Sequence, residues 1–137
     1  MEPLSTLAIG IDLDFVSTAE GGRTTPLLGG ADPENRFTYR PNWGLPGWPD
    51  GDQTGAPVLG FAKADVEPGE STRAVIVPMF FEQVPAWLDV QPGDVLRMYE
   101  GSRICGRATV RWIEQATWRM PEAEQERFAR WLLAPEV

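Results

Sequence analysis

Apolar and polar residues alternate in the segment that opens the chain. Every second position from 7 to 15 is apolar, namely Leu7, Ile9, Ile11, Leu13 and Phe15. Successive side chains of a β-strand point to opposite sides of the sheet, so a period of two is typical of a strand with one buried face. The pattern predicts a first strand over residues 7–15.

Five further segments have the composition of strands. They cover residues 36–40, 58–61, 74–77, 95–99 and 104–113. These segments contain β-branched and aromatic residues, which strands favour. Short strands separated by turn residues are typical of an all-β sandwich or barrel. Pro-Gly pairs at 68–69 and 92–93 predict type II turns, and residues 100–103 predict the tip of a hairpin.

The pattern changes to that of a helix after residue 113. Pro121 suits the first position of a helix, and Phe128, Trp131 and Leu132 follow a spacing that makes one apolar stripe. We therefore predict a short C-terminal α-helix that ends before Pro135. We expect its stripe to dock on the strands, although the stripe also suits a contact with another chain.

Residues 42–57 are rich in glycine and proline and contain Trp43 and Trp48. We predict a long loop. Long loops in compact domains are often functional, and tryptophan is favoured at binding surfaces. The alternative is that both indoles pack over one end of the strands.

The residue inventory excludes several chemistries. The chain of 137 residues has no histidine and one cysteine, Cys105. Ser-His-Asp and Cys-His catalysis, histidine metal ligands and an intrachain disulfide are therefore absent. We predict no metal and no cofactor.

Carboxylates are the main remaining catalytic candidates. Asp12 and Asp14 share one face of the first strand, and Asp50 and Asp52 flank a glycine in a way that suggests a weak calcium ligand pair. Solvated surface carboxylates explain both pairs better. Cys105 lies in an apolar strand, where a buried small residue is expected rather than a nucleophile.

Charge and hydropathy restrict the partners and the location. The net charge is -8, and the basic residues do not cluster. Nucleic-acid binding normally needs a basic patch, so the charge disfavours RNA without excluding it. No apolar run reaches the roughly 20 residues of a membrane helix, and the first six residues lack the pattern of a signal peptide. We expect no membrane contact and a cytoplasmic location.

Several motifs occur in the order found in a known family. The segment Glu20-Gly21-Gly22-Arg23 follows the first strand and precedes Thr25-Pro26. The turn at 66–70 and the hairpin Glu100-Gly101-Ser102-Arg103 come later. Together these motifs cover about residues 7–113 and resemble the C-terminal, third domain of elongation factor Tu.

The resemblance implies the fold and the division of the chain. The expected fold is all-β, a six-stranded antiparallel barrel plus a short C-terminal α-helix. The barrel domain would cover residues 1–116, with its long loop at 42–57, and the helical extension residues 117–137.

In that family, the third domain packs against the GTP-binding domain and helps to hold the T-stem of aminoacyl-tRNA, partly through the Gly-Gly-Arg loop. This chain departs from the family in three ways. Lys63, the only lysine, is not in a P-loop motif, so we expect no GTP-binding domain in this chain. Thr24 replaces the family histidine, and Leu27-Leu28 replace two phenylalanines.

We therefore predict a non-catalytic, stand-alone interaction module in the bacterial cytoplasm, related to translation, with a protein partner. The candidate binding residues are Gly21, Gly22, Arg23, Thr24, Arg40, Trp43, Trp48 and Arg103. Two alternatives remain. One is tRNA binding through Arg23, Arg103 and Arg107, and the other is an enzyme that uses carboxylates.

Overall fold

Strands dominate the fold, and one helix follows them. The structure, a computed structural model, describes residues 4–79 and 81–135. The elements are β1 (Leu4–Phe15), β2 (Asn42–Gly44), β3 (Thr54–Gly55), β4 (Val58–Phe61), β5 (Ser71–Ile76), β6 (Val95–Glu100), β7 (Arg103–Trp118) and α1 (Glu122–Leu133). No helix in these ranges is long and apolar enough to cross a bilayer.

The strands form one antiparallel sheet in the order β3-β2-β6-β7-β1-β5-β4. The long pair β1 and β7 is central, and a bulge interrupts it after Gly10. The predicted number of strands needs correction, because the sheet has seven strands rather than six, and its outer strands β3 and β4 do not pair with each other. The mostly β architecture and the C-terminal helix are as predicted.

The predicted strand over residues 36–40 is wrong. This segment follows a 3₁₀ turn at Pro33–Asn35, and Phe37 has a left-handed φ of 62°. Its two aromatic residues do not share one face, because Tyr39 packs on one side of the sheet, whereas Phe37 contacts Trp118 on the other side. The two short strands β2 and β3 instead lie inside the segment that we predicted as a loop.

Each face of the sheet carries a buried cluster of side chains. On one face Ile9, Ile11 and Leu13 pack with Trp43 and Trp87, and we call this cluster the inner core. The alternation of β1 therefore places the predicted side chains inward. On the opposite face α1 covers a second cluster, the helix-side core. Its residues are Ala8, Leu59, Val75, Val77, Ala116, Met120, Phe128 and Leu132.

Gly10 shows how the helix-side core uses a glycine inside a strand. A Cβ at Gly10 would collide with the ring of Trp112, so the indole lies directly on the backbone. Trp112 in turn stacks on Phe128, with 5.7 Å between ring centroids, and meets Trp131 edge-on. A larger residue at position 10 would displace the aromatic side chains that attach α1 to the sheet.

Helix α1 begins at Glu122, one residue after the predicted start, because Pro121 is its N-cap, and it ends before Pro135 as predicted. Phe128 and Leu132 are buried, so the stripe docks on the sheet of its own chain. Strand β7 continues past the predicted domain boundary at 116 and ends at Trp118. The predicted outer limits, residues 1 and 137, lie outside the described residues.

The predicted turns occur where the sequence places them. Gly69 and Gly93, each after a proline, have φ values of 86° and 95°. Positive φ at this position is the requirement of a type II turn. The hairpin between β6 and β7 turns through residues 101 and 102.

Candidate binding surface

The Gly-Gly-Arg loop is held by its own hydrogen bonds. A 3₁₀ turn covers Thr18–Glu20, and the backbone N–H of Gly22 donates to Ser17 O at 2.9 Å. Gly21 has a φ of 98°, and a Cβ on Gly22 would collide with the carbonyl of Val16. Both glycines are therefore required by the shape of this loop.

Arg23 joins this loop to the end of β6. Its Nη1 forms an ion pair with Oε2 of Glu100, and the hydroxyl of Tyr39 donates to the same oxygen at 2.5 Å. The Arg23 guanidinium also lies 5.8 Å from the ring centroid of Tyr39. The side chains of Arg23 and Glu100 are 17% and 32% exposed. The Arg23 cation is thus largely enclosed and is neutralised by its own chain.

The ionisation of these groups follows from their enclosure. Burial raises the pKa of Tyr39, and the hydrogen bond and negative charge of Glu100 raise it further. Burial acts to lower the pKa of Arg23, but the bond and charge of Glu100 outweigh it and raise that pKa. Tyr39 stays neutral and Arg23 stays charged at neutral pH. Burial, followed by Glu100, also raises the pKa of the nearby Cys105 thiol.

Three segments meet at this end of the sheet. Arg103 is exposed, and its Nη1 donates to Gly22 O at 3.3 Å. The Gln53 side chain, from the loop between β2 and β3, donates to Gly101 O at 2.8 Å. We call residues 20–25 and 100–103 the hairpin-end surface. Thr24 and Ser102 are exposed on it.

The hairpin-end surface contains five of the eight predicted binding residues, Gly21, Gly22, Arg23, Thr24 and Arg103. Arg40 is exposed, but its Nε donates to Phe37 O at 2.9 Å and it belongs to the preceding turn.

The two tryptophans of the predicted loop are not part of this surface. Trp43 is 0% exposed, and its Nε1 donates to Ala56 O at 2.9 Å, so it is a core residue and cannot reach a partner. Trp48 is half-buried and packs against the inner core. The structure thus favours the alternative in which both indoles pack on the sheet.

Glu100 and Tyr39 are the members of this site that sequence reasoning did not select. Glu100 lies 77 residues from Arg23 in the chain, and Tyr39 lies 61 residues from Glu100. The hairpin motif contained Glu100, but nothing in a single sequence pairs it with Arg23. Such long-range pairs are decided by the fold.

Three of the four aspartates in the two predicted pairs bond to neighbouring side chains. Asp12 and Asp14 do share the outer face of β1, in an open groove of about 820 Å³ beside the end of α1. Asp12 is bound by Arg111 at 2.7 Å, and Asp14 accepts a hydrogen bond from Ser71 at 2.5 Å. Asp50 is paired with Arg97 at 2.6 Å. Within residues 4–79 and 81–135, no three His, Cys, Asp or Glu side chains cluster as metal ligands.

Comparison with known proteins identifies no family. No protein-family model matches the chain, and no curated protein sequence matches it. The resemblance to the third domain of elongation factor Tu therefore rests on the motifs of the sequence.

Proposed function

We propose that this chain is a non-catalytic, protein-binding module that contacts its partner through the hairpin-end surface. The observation that carries the proposal is the ion pair between Arg23 and Glu100, which fastens the Gly-Gly-Arg loop to the hairpin. Loops that are fixed before binding lose less conformational entropy when a partner binds. The exposed residues Thr24, Ser102 and Arg103 then form a preformed polar surface.

The same ion pair favours a protein over RNA as the partner. RNA binding gains its affinity from several cations that neutralise phosphates. Arg23 is neutralised by Glu100. Of the three candidate arginines, the exposed ones that remain are Arg103 and, four residues further along β7, Arg107. Two cations on a chain of net charge -8 are few for a phosphate backbone. We therefore treat tRNA as the alternative that the experiment below also tests.

The proposal assigns no catalytic residue. Cys105 is fully buried, and burial raises the pKa of its thiol, so the reactive thiolate is disfavoured. The carboxylates of Asp12 and Asp14 are bound by Arg111 and Ser71. A cytoplasmic location fits a chain whose only cysteine forms no intrachain disulfide.

We also propose a barrel-like closure related to the third domain of elongation factor Tu. Phe37 N donates to Val58 O at 3.0 Å, and Val58 N donates to Tyr39 O at 2.9 Å. Val58 belongs to β4, the strand at one end of the sheet, and residues 37–39 lead through residues 40 and 41 into β2, near the other end. These two bonds therefore support a link between the two ends of the sheet. The Gly-Gly-Arg loop and the hairpin also lie together, which is consistent with the motifs of that domain.

Site-specific photocrosslinking in cells tests the binding surface. A photoreactive amino acid replaces Thr24, and a matched control places it at Glu122, which is exposed at the start of α1. We expect a defined protein adduct from position 24 and none from position 122. The adduct should persist after ribonuclease treatment. It should weaken with Arg103→Glu but not with Arg130→Glu, the same change at an exposed site on α1.

Two results would contradict the proposal. An adduct at position 24 that ribonuclease removes would identify RNA as the partner. The same adducts from positions 24 and 122 would show that the hairpin-end surface is not the contact.

A further inference from the structure

The second half of β7 lacks a neighbouring strand on one side. β1 pairs with β7 as far as Trp118, whereas the pairing of β6 with β7 ends at Thr109. In the part of the chain that the structure describes, no strand pairs with residues 111–117 on the side away from β1. We call these residues the free edge. Its seven residues have the length of an ordinary strand.

Alternate backbone groups of the free edge point away from β1. The N–H of Thr117 donates to the carboxylate of Glu124 in α1 at 2.8 Å, so it does not face β1. Antiparallel pairing alternates along a strand. The N–H and C=O groups of Ile113 and Gln115 therefore point outward too. Groups with this spacing are those that an added strand uses.

A groove of about 310 Å³ runs beside the free edge. Its lining includes Leu7, Leu88, Gln115, Thr117 and Glu124. Leu88 is 63% exposed, which is a large apolar area for a surface residue. Side chains of an added strand would alternate between the two faces of the sheet. Every second side chain would thus lie over the groove, where an apolar residue would cover Leu88.

The charges around the free edge select the partner. Arg111 on the free edge is paired with Asp12 at 2.7 Å and Arg127 in α1 is paired with Glu114 at 2.9 Å, whereas Arg119, two residues beyond the edge, is exposed.

Two carboxylates remain near the free edge. Glu124 is bound to Thr117, and Asp94 accepts a hydrogen bond from the backbone N–H of Gln91. Neither forms an ion pair within the described residues. The charges near the edge that lie outside ion pairs are thus two carboxylates and the Arg119 guanidinium, on a chain whose net charge of -8 would repel a second copy of itself.

We propose that the free edge of β7 is a second interaction surface, which binds an extended basic segment of a partner protein as an added strand. The segment alternates apolar side chains, which cover Leu88, with lysine or arginine side chains, which meet the carboxylates. This surface is on the half of β7 that lies away from Arg103. The inference consequently does not depend on the hairpin-end surface.

Peptide selection with a backbone variant tests the inference. A library of random twelve-residue peptides displayed on phage is selected against the whole chain. Gln115→Pro removes an outward N–H and leaves the bonds to β1 in place, and proline is tolerated at strand edges. Gln115→Ala is the matched control. We expect peptides that alternate apolar and basic residues, and a loss of affinity of roughly tenfold with Gln115→Pro alone.

Amide hydrogen exchange on the wild-type chain locates the peptide and does not depend on the folding of the proline variant. We expect a selected peptide to slow the exchange of Ile113 and Gln115, and a copy methylated at alternate backbone nitrogens to lose this effect. Four results would overturn the inference. They are the absence of such peptides, a preference for acidic peptides, slowed exchange at other strands, and slowed exchange without peptide at high protein concentration, which would indicate a second copy on the edge.

Discussion

Glu100 illustrates how one side chain organises the candidate site. A single carboxylate oxygen binds both the Arg23 guanidinium and the Tyr39 hydroxyl. Hydrogen bonds to charged groups are about twice as strong as those between neutral groups, and they cost more when one partner is removed. The Gly-Gly-Arg loop is therefore expected to depend on this residue for its position.

Arg23→Ala should lower the free energy of unfolding by about 2 kcal/mol, because the half-buried Glu100 loses its cation. Arg23→Lys keeps the charge but not the bond from Nε to Thr25 O, so its effect should be smaller. Urea unfolding measures both. Arg107→Ala, at an exposed arginine of β7, should change the free energy of unfolding by less than about 0.5 kcal/mol. An equal loss in Arg23→Ala and Arg107→Ala would argue against the role of the ion pair.

The raised pKa of Tyr39 predicts a loss of stability in alkali. Below the ordinary tyrosine pKa of 10.0, the folded and unfolded chains are both protonated at this residue. Above that pH the unfolded chain loses the proton first. Stability should then fall by up to about 1.4 kcal/mol per pH unit until the folded pKa is reached.

The free energy of unfolding is measured in urea between pH 8 and pH 11 for the wild type and for Tyr39→Phe. The other titrating groups are the same in both chains, so the difference between the two free energies reports on Tyr39. The difference in stability should be constant up to about pH 10 and should shrink above it. A constant difference over the whole range would show that the pKa of Tyr39 is not raised.

At the scale of elements, α1 is attached by contacts at its C-terminal end as well as by its apolar stripe. Arg73 in β5 is buried, and its Nη1 donates to the carbonyls of Trp131 and Ala134 at 3.0 and 2.9 Å. Its guanidinium also lies 5.2 Å from the ring centroid of Trp131. A cation here satisfies carbonyls that the end of a helix leaves unpaired.

Arg73→Ala should loosen the last turns of α1 and lower the free energy of unfolding by about 2–3 kcal/mol, since charged hydrogen bonds to two carbonyls are lost. Amide exchange in residues 130–133 should quicken relative to that in β1. Arg130→Ala, at an exposed position of the same helix, is the control. If exchange in α1 were unchanged by Arg73→Ala, the apolar stripe alone would hold the helix.

At the scale of the whole molecule, the sheet is shared by two cores. β1 contributes Ile9 and Ile11 to the inner core and Ala8 to the helix-side core. Both faces of the central strands carry buried clusters, and only the part of β1 and β7 around Asp12, Asp14 and Arg111 borders an open groove. We therefore expect sheet and helix to unfold as one cooperative unit.

A chain that ends at residue 116 tests this expectation, because it removes α1 and uncovers Leu59, Val75 and Val77. We expect the shortened chain to lose its unfolding transition or to aggregate, because it exposes a contiguous apolar face. Calorimetry and size-exclusion chromatography measure these effects. A soluble shortened chain with the wild-type midpoint would instead show that residues 1–116 fold without the helix.

Local signals were enough to predict most elements. The alternation of β1, the two Pro-Gly turns and the stripe of α1 depend on residues a few positions apart, and the structure confirms them. The predicted strand around Phe37 was wrong because aromatic residues two positions apart also occur where the two side chains enter different cores. Trp43 was misjudged because composition does not show whether an indole is covered.

The sequence alone determined the strand-rich class, the helix and the exclusion of histidine chemistry, because propensity, periodicity and residue inventory are local properties. Only the tertiary structure decided that Arg23 is neutralised by Glu100, that Trp43 lies in the core and that β7 keeps a free edge. Each of these depends on which distant segments meet. Chain topology and packing determine these long-range contacts, and a single sequence does not show which segments form them.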